Sequence, residues 1–360
     1  MTGIARLHPG IVLGQMLEAE GMSQKELAIR TGTSEKHIST IIRGKKNISL
    51  SFAKKLEFVF SEKLDFWLDL QAKYDIALYA FEEKHGIDEE ELHVLTYLKD
   101  VSAFLQNELF FDTATDDPDL VLKLRKFMGV SSLKAIPEIS YNGVYRAQLN
   151  NNVNVNPYVL YAWKRICEVY VSVIEIQETL NIELLKAKLT DIKKLMFKSI
   201  NYVSNELTAI LAECGIAFRI VPHFRGAPVQ GFISKMADNK LMLCLTLRQK
   251  RADKFWFTLF HEIGHILNGD VSLKFIDFDS VKNEAEEEAD LFASNILLDK
   301  NAYKVFWEKS DFSLASIINF AETQEVKPYI VIGRLQMEGE LDWSDYSGEM
   351  VYYEWVTGTD

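Results

Sequence analysis

The chain has 360 residues, 48% hydrophobic and 26% charged, an ordinary globular composition with room for two or three domains. Its formal net charge of −12 excludes a protein that coats nucleic acid along its whole length. No run of about eighteen uncharged apolar residues exists and MTGIARLHPG has no signal-peptide core, so neither a membrane span nor secretion is expected. Cys167, Cys214 and Cys244 are scattered and odd in number, which speaks against a disulfide framework or thiolate cluster and suits a reducing cytoplasm.

The first eighty residues read as short helices joined by tight turns. Between Lys25 and Lys55 stand eight Lys or Arg against two acids, Glu26 and Glu35, an excess of six positive charges within an acidic chain. That pattern points to one DNA-facing module. In MSQKELAIRTGTSEKHISTIIRGKKNIS (Met22 to Ser49), Ser23 with Glu26 three residues on is a capping-box pattern. Thr31-Gly32 ends that helix, because glycine accepts a left-handed cap. Ser34 caps a second helix expected to run to about Arg43. Two short helices around a glycine-containing turn form a helix-turn-helix, with Ala28, Ile38 and Ile41 at its buried contacts.

In such a unit the second helix enters the major groove. Glu35, Lys36, Ser39 and Thr40 face outward as candidates to read bases, with His37 and Arg43 flanking them. Gln24, Lys45 and Lys46 are placed for phosphates. Together with LHPGIVLGQMLEAEG and FWLDLQAKYD (Phe66 to Asp75), these motifs resemble the Xre-type helix-turn-helix family in its HigA-like antitoxin branch, over about residues 6–76. The resemblance implies a homodimer on an inverted-repeat operator.

An acidic helical region follows from GIDEEELHVL. DTATDDPD (Asp112 to Asp119) reads as a loop with a proline stop, helical pattern resumes at Leu120, the Asn-rich LNNNVNVNP (Leu149 to Pro157) breaks it, and it continues from Tyr158 to about Glu213. Strand signals come late, at Ile216–Pro222, Val229–Met236 and Lys240–Leu247, and helices are expected at 253–268 and 283–298.

KFWFTLFHEIGHILNGD (Lys254 to Asp270) contains the pattern H-E-x-x-H. At about 100° per residue, Leu259, Phe260, Ile263, Ile266 and Leu267 share one arc of a helix, while Thr258, His261, Glu262 and His265 share the other. His261 and His265, at i and i+4, can close on one cation, with Glu262 beside them suited to accept a proton from water. Val271 stands where an extended pattern would carry a third histidine. In NEAEEEADLFASNILLD (Asn283 to Asp299), Glu286 lies within the apolar arc, where a carboxylate is costly unless paired or metal-bound. It is the candidate third ligand, and Asp290, one turn on, is placed to hold a ligating histidine. Glu284, Glu287 and Glu288 point outward and suit the helix N-terminus.

These segments resemble the ImmA/IrrE family of metallopeptidases over about residues 200–340, with VQGFISK and VKPYIVIGRLQ part of the likeness. LRKFMGVSSL and NPYVLYAWKRICE are similar to connectors that fuse an Xre-type module to such a domain. The likeness implies a zincin fold binding one Zn2+ per chain through His261, His265 and Glu286, with Glu262 as general base. Asp299 departs from it, standing where the family usually has proline, and so do Asn268 to Asp270, where histidine is common. No oxyanion-stabilising residue is assigned, Tyr303, Tyr329 and Arg334 being the possibilities, and Gly231–Ser234 is expected to offer a strand edge to a peptide.

The expected architecture is mostly α, α+β. An all-α helix-turn-helix domain spans 1–80, a helical connector 81–199, and a zincin-like domain with a small sheet 200–360. The expected function is a DNA-binding regulator whose zinc endopeptidase domain cleaves a partner repressor or itself. The alternative is a HigA-like antitoxin or repressor with a toxin partner, whose zincin domain senses a ligand or binds that partner.

Overall fold

The computed structural model describes residues 7–141, 155–272, 275–276 and 284–354. Residues 149–154 of the Asn-rich stretch lie outside them. The chain forms two compact units, Met1–Glu89 and Glu90–Asp360.

The first unit contains α1 (Pro9–Ala19), α2 (Gln24–Thr31), α3 (Glu35–Ile42), α4 (Leu50–Phe60) and α5 (Leu64–His85). Serines begin three of these helices. Ser23 accepts from the Glu26 amide, Ser34 from His37 and Ser49 from Phe52, each satisfying an otherwise orphaned donor. Glu26 does not complete the reciprocal box; its carboxylate binds Arg30 instead. Gly32 ends α2 at φ 60°. Leu13, Leu27, Ile38, Ile41, Phe52 and Trp67 form the core. Gly10 is required for close approach, since a β-carbon there would overlap the Ile41 carbonyl oxygen. The Gln71 side chain accepts from the Ile48 amide at 2.8 Å and ties the segment after α3 to α5.

The second unit contains α6 (Glu89–Val94), from Glu90 on, and then α7 (Lys99–Asn107), α8 (Asp117–Met128), α9 (Ile136–Tyr141), α10 (Pro157–Ser172), α11 (Ile182–Lys194) and α12 (Ile200–Glu213). Pro118 starts a helix rather than stopping one. It sits in the first turn of α8, where its missing N–H costs nothing, and Asp116 caps that turn. The strands are β1 (Ile216–Val221), β2 (Gly231–Lys235), β3 (Leu241–Thr246) and β4 (Phe275–Ile276), in the order β1-β3-β2-β4. β1 runs parallel to β3, and β2 is antiparallel to both β3 and β4. Apart from two-residue β4, the strands fall where β-forming runs predict them. β2 is not an open edge, because Phe232 and Ile233 are paired with β3 on one side and β4 on the other.

α10 and α12 pack on β1, and the Trp163 indole donates to the Pro222 carbonyl at 3.0 Å. α13 (Ala252–Asn268) packs on β2 and β3, and α14 (Glu284–Leu297) packs along α13. α15 (Lys300–Glu308), α16 (Leu314–Thr323) and α17 (Pro328–Glu338) complete the unit. Asp299, the departure from proline, caps α15 by accepting from the Asn301 and Ala302 amides.

Glu91 is buried and joins three segments. It takes Arg125 Nε at 2.9 Å and a second guanidinium nitrogen at 2.5 Å, and the Leu133 amide at 2.6 Å. Burial raises its carboxyl, but Arg125 and the Leu133 amide outweigh burial and hold it below the ordinary carboxylate range. The pair's contribution is therefore complete above the unfolded pKa of about 4.5 and is lost as pH falls through the lower folded value. Glu91→Ala should destabilise this unit by about 3–5 kcal/mol by leaving Arg125 uncompensated. Denaturant unfolding at pH 7 measures the loss, and repeating it at descending pH should show the difference from the unmutated chain shrinking.

Candidate metal centre and recognition helix

α13 is buried continuously from Thr258 to Ile266. Its apolar arc joins the core, while its polar arc is enclosed by α14 and β2 instead of facing water. His261 is 5% exposed, Glu262 0%, His265 1% and Glu286 9%. Two close approaches build this enclosure. A β-carbon on Gly264 would lie 3.2 Å from Ala289 Cα, so the glycine lets α13 and α14 nearly touch. A β-carbon on Gly231 would overlap Glu262 Oε1, so only glycine in β2 leaves room for that carboxylate.

Three candidate ligand atoms converge. His261 Nε2 and His265 Nε2 are 3.0 Å apart, and Glu286 Oε2 lies 3.2 Å from the first and 3.6 Å from the second. One donor atom from each of the three residues lies within 4.8 Å of the other two. Tetrahedral ligands at about 2.0–2.1 Å from a zinc ion stand roughly 3.3 Å apart, so this donor set fits such an ion. Asp290 Oδ1 is 2.8 Å from His261 Nδ1. A carboxylate only accepts, so Nδ1 carries the proton and Nε2 keeps its lone pair for a cation. Burial raises the Glu286 carboxyl, but the adjoining His261 and His265 imidazoles outweigh it and hold the group at about 2. It is thus an anion at any physiological pH.

Asp270 escaped the sequence reading. It follows Gly269, which caps α13 at φ 81°, and its Oδ2 lies 3.6 Å from His265 Nδ1, beyond hydrogen-bond distance but on the same far side of its ring that Asp290 takes on His261. A left-handed glycine followed by an acid was the only available signal. Glu284, Glu287 and Glu288 are exposed. The three residues considered for an oxyanion are engaged elsewhere: the Tyr303 hydroxyl donates to Glu338, Arg334 donates to Glu338 and Ser294, and Tyr329 lies in the core.

In the first unit, Glu35 and Lys36 are exposed on α3 and Ser39 and Thr40 half-buried, while Ile38 and Ile41 face the core. Thr40 donates to the Lys36 carbonyl, and Arg43 folds back to donate to the Ser39 carbonyl at 3.1 Å and hydroxyl at 2.7 Å. Arg43 is the cap of α3 rather than its last turn, and it is exposed with Lys45 and Lys46. Lys46 Nζ is 3.2 Å from His37 Nδ1. Gln24, half-buried, opens α2.

Residues 13–67 match the helix-turn-helix family model, and residues 234–335 match that of the IrrE N-terminal-like peptidase domain. The chain joins a helix-turn-helix domain to an IrrE N-terminal-like domain. The virulence-associated protein A' of Dichelobacter nodosus is 38% identical over 71 residues, 19% of this chain and 62% of that protein. The chain thus spans about three fifths of that relative's length. An addiction module antidote protein of the HigA family from Coxiella burnetii is 29% identical, over 24% of this chain and 94% of that one, with a TM-score of 0.22. The Pseudomonas aeruginosa antitoxin HigA, solved with the higBA promoter, is 30% identical over 23% of this chain and 97% of its own, with a TM-score of 0.22.

The tightness around Glu262 yields a test. Gly231→Ala must push β2 or Glu262 aside and should cost about 1–3 kcal/mol, as overpacking does. Gly348→Ala, whose added carbon would meet nothing within 4 Å, should change stability by no more than about 0.5 kcal/mol. Thermal melts of both variants check the contrast.

Proposed function

We propose that this chain is a DNA-binding regulator whose IrrE-like domain is a zinc-dependent endopeptidase acting on a regulatory protein, either a partner repressor or the chain itself. The observation that carries the enzymatic half is the buried convergence of His261, His265 and Glu286 with Glu262 enclosed against Gly231. We divide the chain functionally into a reading domain at 1–80, a helical connector at 81–199 and a peptidase domain at 200–360. Its place is the cytoplasm, in keeping with three buried free cysteines. Among the described residues no helix is long and apolar enough to cross a membrane.

His261, His265 and Glu286 would hold the ion, one per chain. When bound, zinc supplies a Lewis acid that polarises a peptide carbonyl and acidifies water. Asp290 fixes the His261 ring and its tautomer, and Asp270 is placed to do the same for His265. Glu262 accepts the proton released by the attacking water and delivers it to the leaving amine. Its complete burial keeps competing water away and strengthens every interaction within the site.

The reading domain binds an inverted-repeat operator as a homodimer. α3 enters the major groove, with Glu35, Lys36, Ser39 and Thr40 toward base edges, His37 and Arg43 flanking them, and Gln24, Lys45 and Lys46 toward phosphates.

Elemental analysis and product mass spectrometry test the centre. His261→Ala, His265→Ala and Glu286→Ala should each lose zinc, Asp290→Ala should bind it about 10–100-fold more weakly, and Glu287→Ala should retain it. Glu262→Gln should keep zinc and abolish cleavage of any neighbouring regulatory protein. Zinc retained with no cleavage by the unmutated chain would instead favour an antitoxin or repressor whose second domain senses a ligand or binds a toxin.

For DNA, Lys45→Ala with Lys46→Ala should weaken binding to every sequence and reduce its salt dependence, whereas Ser39 or Thr40 substitutions should alter base preference by about 1–3 kcal/mol. Electrophoretic shifts over a salt series distinguish the two, and an unchanged response to both would remove α3 from the interface.

A further inference from the structure

Helices α2, α3 and α4 begin at serines, but α1 begins at a histidine. Pro9 has no N–H, so the Gly10 amide is the first donor of α1, and His8 Nδ1 accepts it at 2.9 Å. A ring that accepts at Nδ1 is neutral and carries its proton on Nε2. Protonation would set a second N–H against the Gly10 N–H and abolish the cap. A serine here would cap the helix at any pH, whereas a histidine does so only above its own titration.

The same ring is a packing element. His8 is 5% exposed and stands edge-on to Tyr74 of α5, with ring centroids 4.9 Å apart. Its other neighbour is the turn after α3, where a β-carbon on Gly44 would lie 3.4 Å from His8 Cγ. Gly44 opens the stretch Gly44–Asn47, which carries Lys45 and Lys46. Just beyond it the Ile48 amide donates to Gln71, and Gln71 and Asn47 donate to Asp75 at 2.9 and 3.4 Å. The ring is thus wedged between the start of α1, α5 and the basic turn. Among the described residues, the groups facing it are Tyr74 and Asp75 from α5 and Asn47 from the turn, while Lys45 and Lys46 are exposed. His8 Nε2 is buried and makes no hydrogen bond of ordinary geometry. Burial holds the imidazole below its ordinary value of 6.5, outweighing Asn47 and Asp75, which favour the charged form.

We propose that His8 is a positioning residue that holds the basic turn Gly44–Asn47 only while its ring is neutral, so that acid releases the turn and weakens the grip on DNA. The inference rests on the DNA-binding reading above, in which Lys45 and Lys46 meet phosphates. Because the folded protein disfavours the charged ring, the cap's contribution is complete above the unfolded value of about 6.5 and is lost as pH falls toward the lower folded value. Weakening by acid is opposite in sign to general electrostatics, since acid makes any chain more positive and by itself tightens DNA binding. His37 on α3, whose Nδ1 lies 3.2 Å from Lys46 Nζ, would on protonation add charge in that tightening direction. His8 acts against both.

Fluorescence anisotropy of the full-length protein with a labelled mixed-sequence duplex of about 30 base pairs, at constant ionic strength, reads this response. Between about pH 7.5 and about pH 5.5 the unmutated chain should lose affinity about threefold or more. His8→Ala, which has no cap, should bind more weakly at both pH values. His8→Asn, whose amide oxygen caps without titrating, should restore binding and show no acid loss. His37→Asn should keep the acid loss.

In parallel, NMR of the unmutated protein should show the His8 ring gaining its second proton together with loss of hydrogen-exchange protection at the Gly10 and Gly44 amides. An acid loss shared by His8→Asn, or abolished by His37→Asn, would assign the response to another group and overturn the proposal. Affinity that stays level or rises with acid in the unmutated chain would overturn it equally. No binding to duplex DNA at any pH would discard the DNA-binding reading instead. Protection lost with His8 protonation would in that case keep the acid-released turn, and protection retained would overturn that too.

Discussion

Burying two imidazoles and two carboxylates in one place is the constraint around which the second unit is organised. His261, Glu262, His265 and Glu286 are all less than a tenth exposed, and such groups are costly in a protein interior unless each finds a partner. The neighbouring structure is shaped by that demand. Gly231 makes room for Glu262 on the sheet side, Gly264 lets α14 come close enough for Glu286 to reach both histidines, and Asp290 engages the far nitrogen of His261. The two glycines are as much a part of the site as the titratable groups, because neither approach survives an added β-carbon without movement.

This helps explain why the small sheet and the long helix α13 are packed so tightly. Trp256, Phe260 and Ile263 anchor one side of α13 in the apolar core, which orients the other side toward β2 and α14. The apolar contacts that stabilise the fold are therefore the same contacts that aim the histidines. The core and the site are two faces of a single helix.

The first unit follows a different physical logic. Its candidate contact groups are exposed, so its structure presents α3 rather than encloses it. Capping serines, the left-handed Gly32 and the glycine-mediated contact between α1 and α3 place Ile38 and Ile41 inward. Lys36, Arg43, Lys45 and Lys46 remain exposed as a consequence. The excess of positive charge between Lys25 and Lys55, within a chain of net charge −12, suits a module that meets nucleic acid on an otherwise acidic body.

Much of this was legible in the sequence, for local reasons. Helix caps, glycine stops and the spacing of apolar residues are set by near neighbours, so α2 and α3, three of the four strands, and α13 and α14 fall close to their expected limits. The i, i+4 histidines and the position of Glu286 on an apolar arc follow from helical periodicity alone. Other features depend on residues distant in sequence. Two-residue β4 has no pattern of its own, Pro118 opens a helix that composition suggested it would prevent, and β2 is paired on both sides where an open edge was expected. Which residues would flank the histidines was equally hidden. Gly231 faces Glu262 because β2 lies under α13, and Asp270 nears His265 because Gly269 turns the chain. The sequence by itself determined the kinds of chemistry present and the helix faces that carry them, since periodicity is a property of the local backbone. Only the tertiary structure decided that those faces meet, at what distance and how dry, because close approach is a property of two surfaces that the chain brings together from afar.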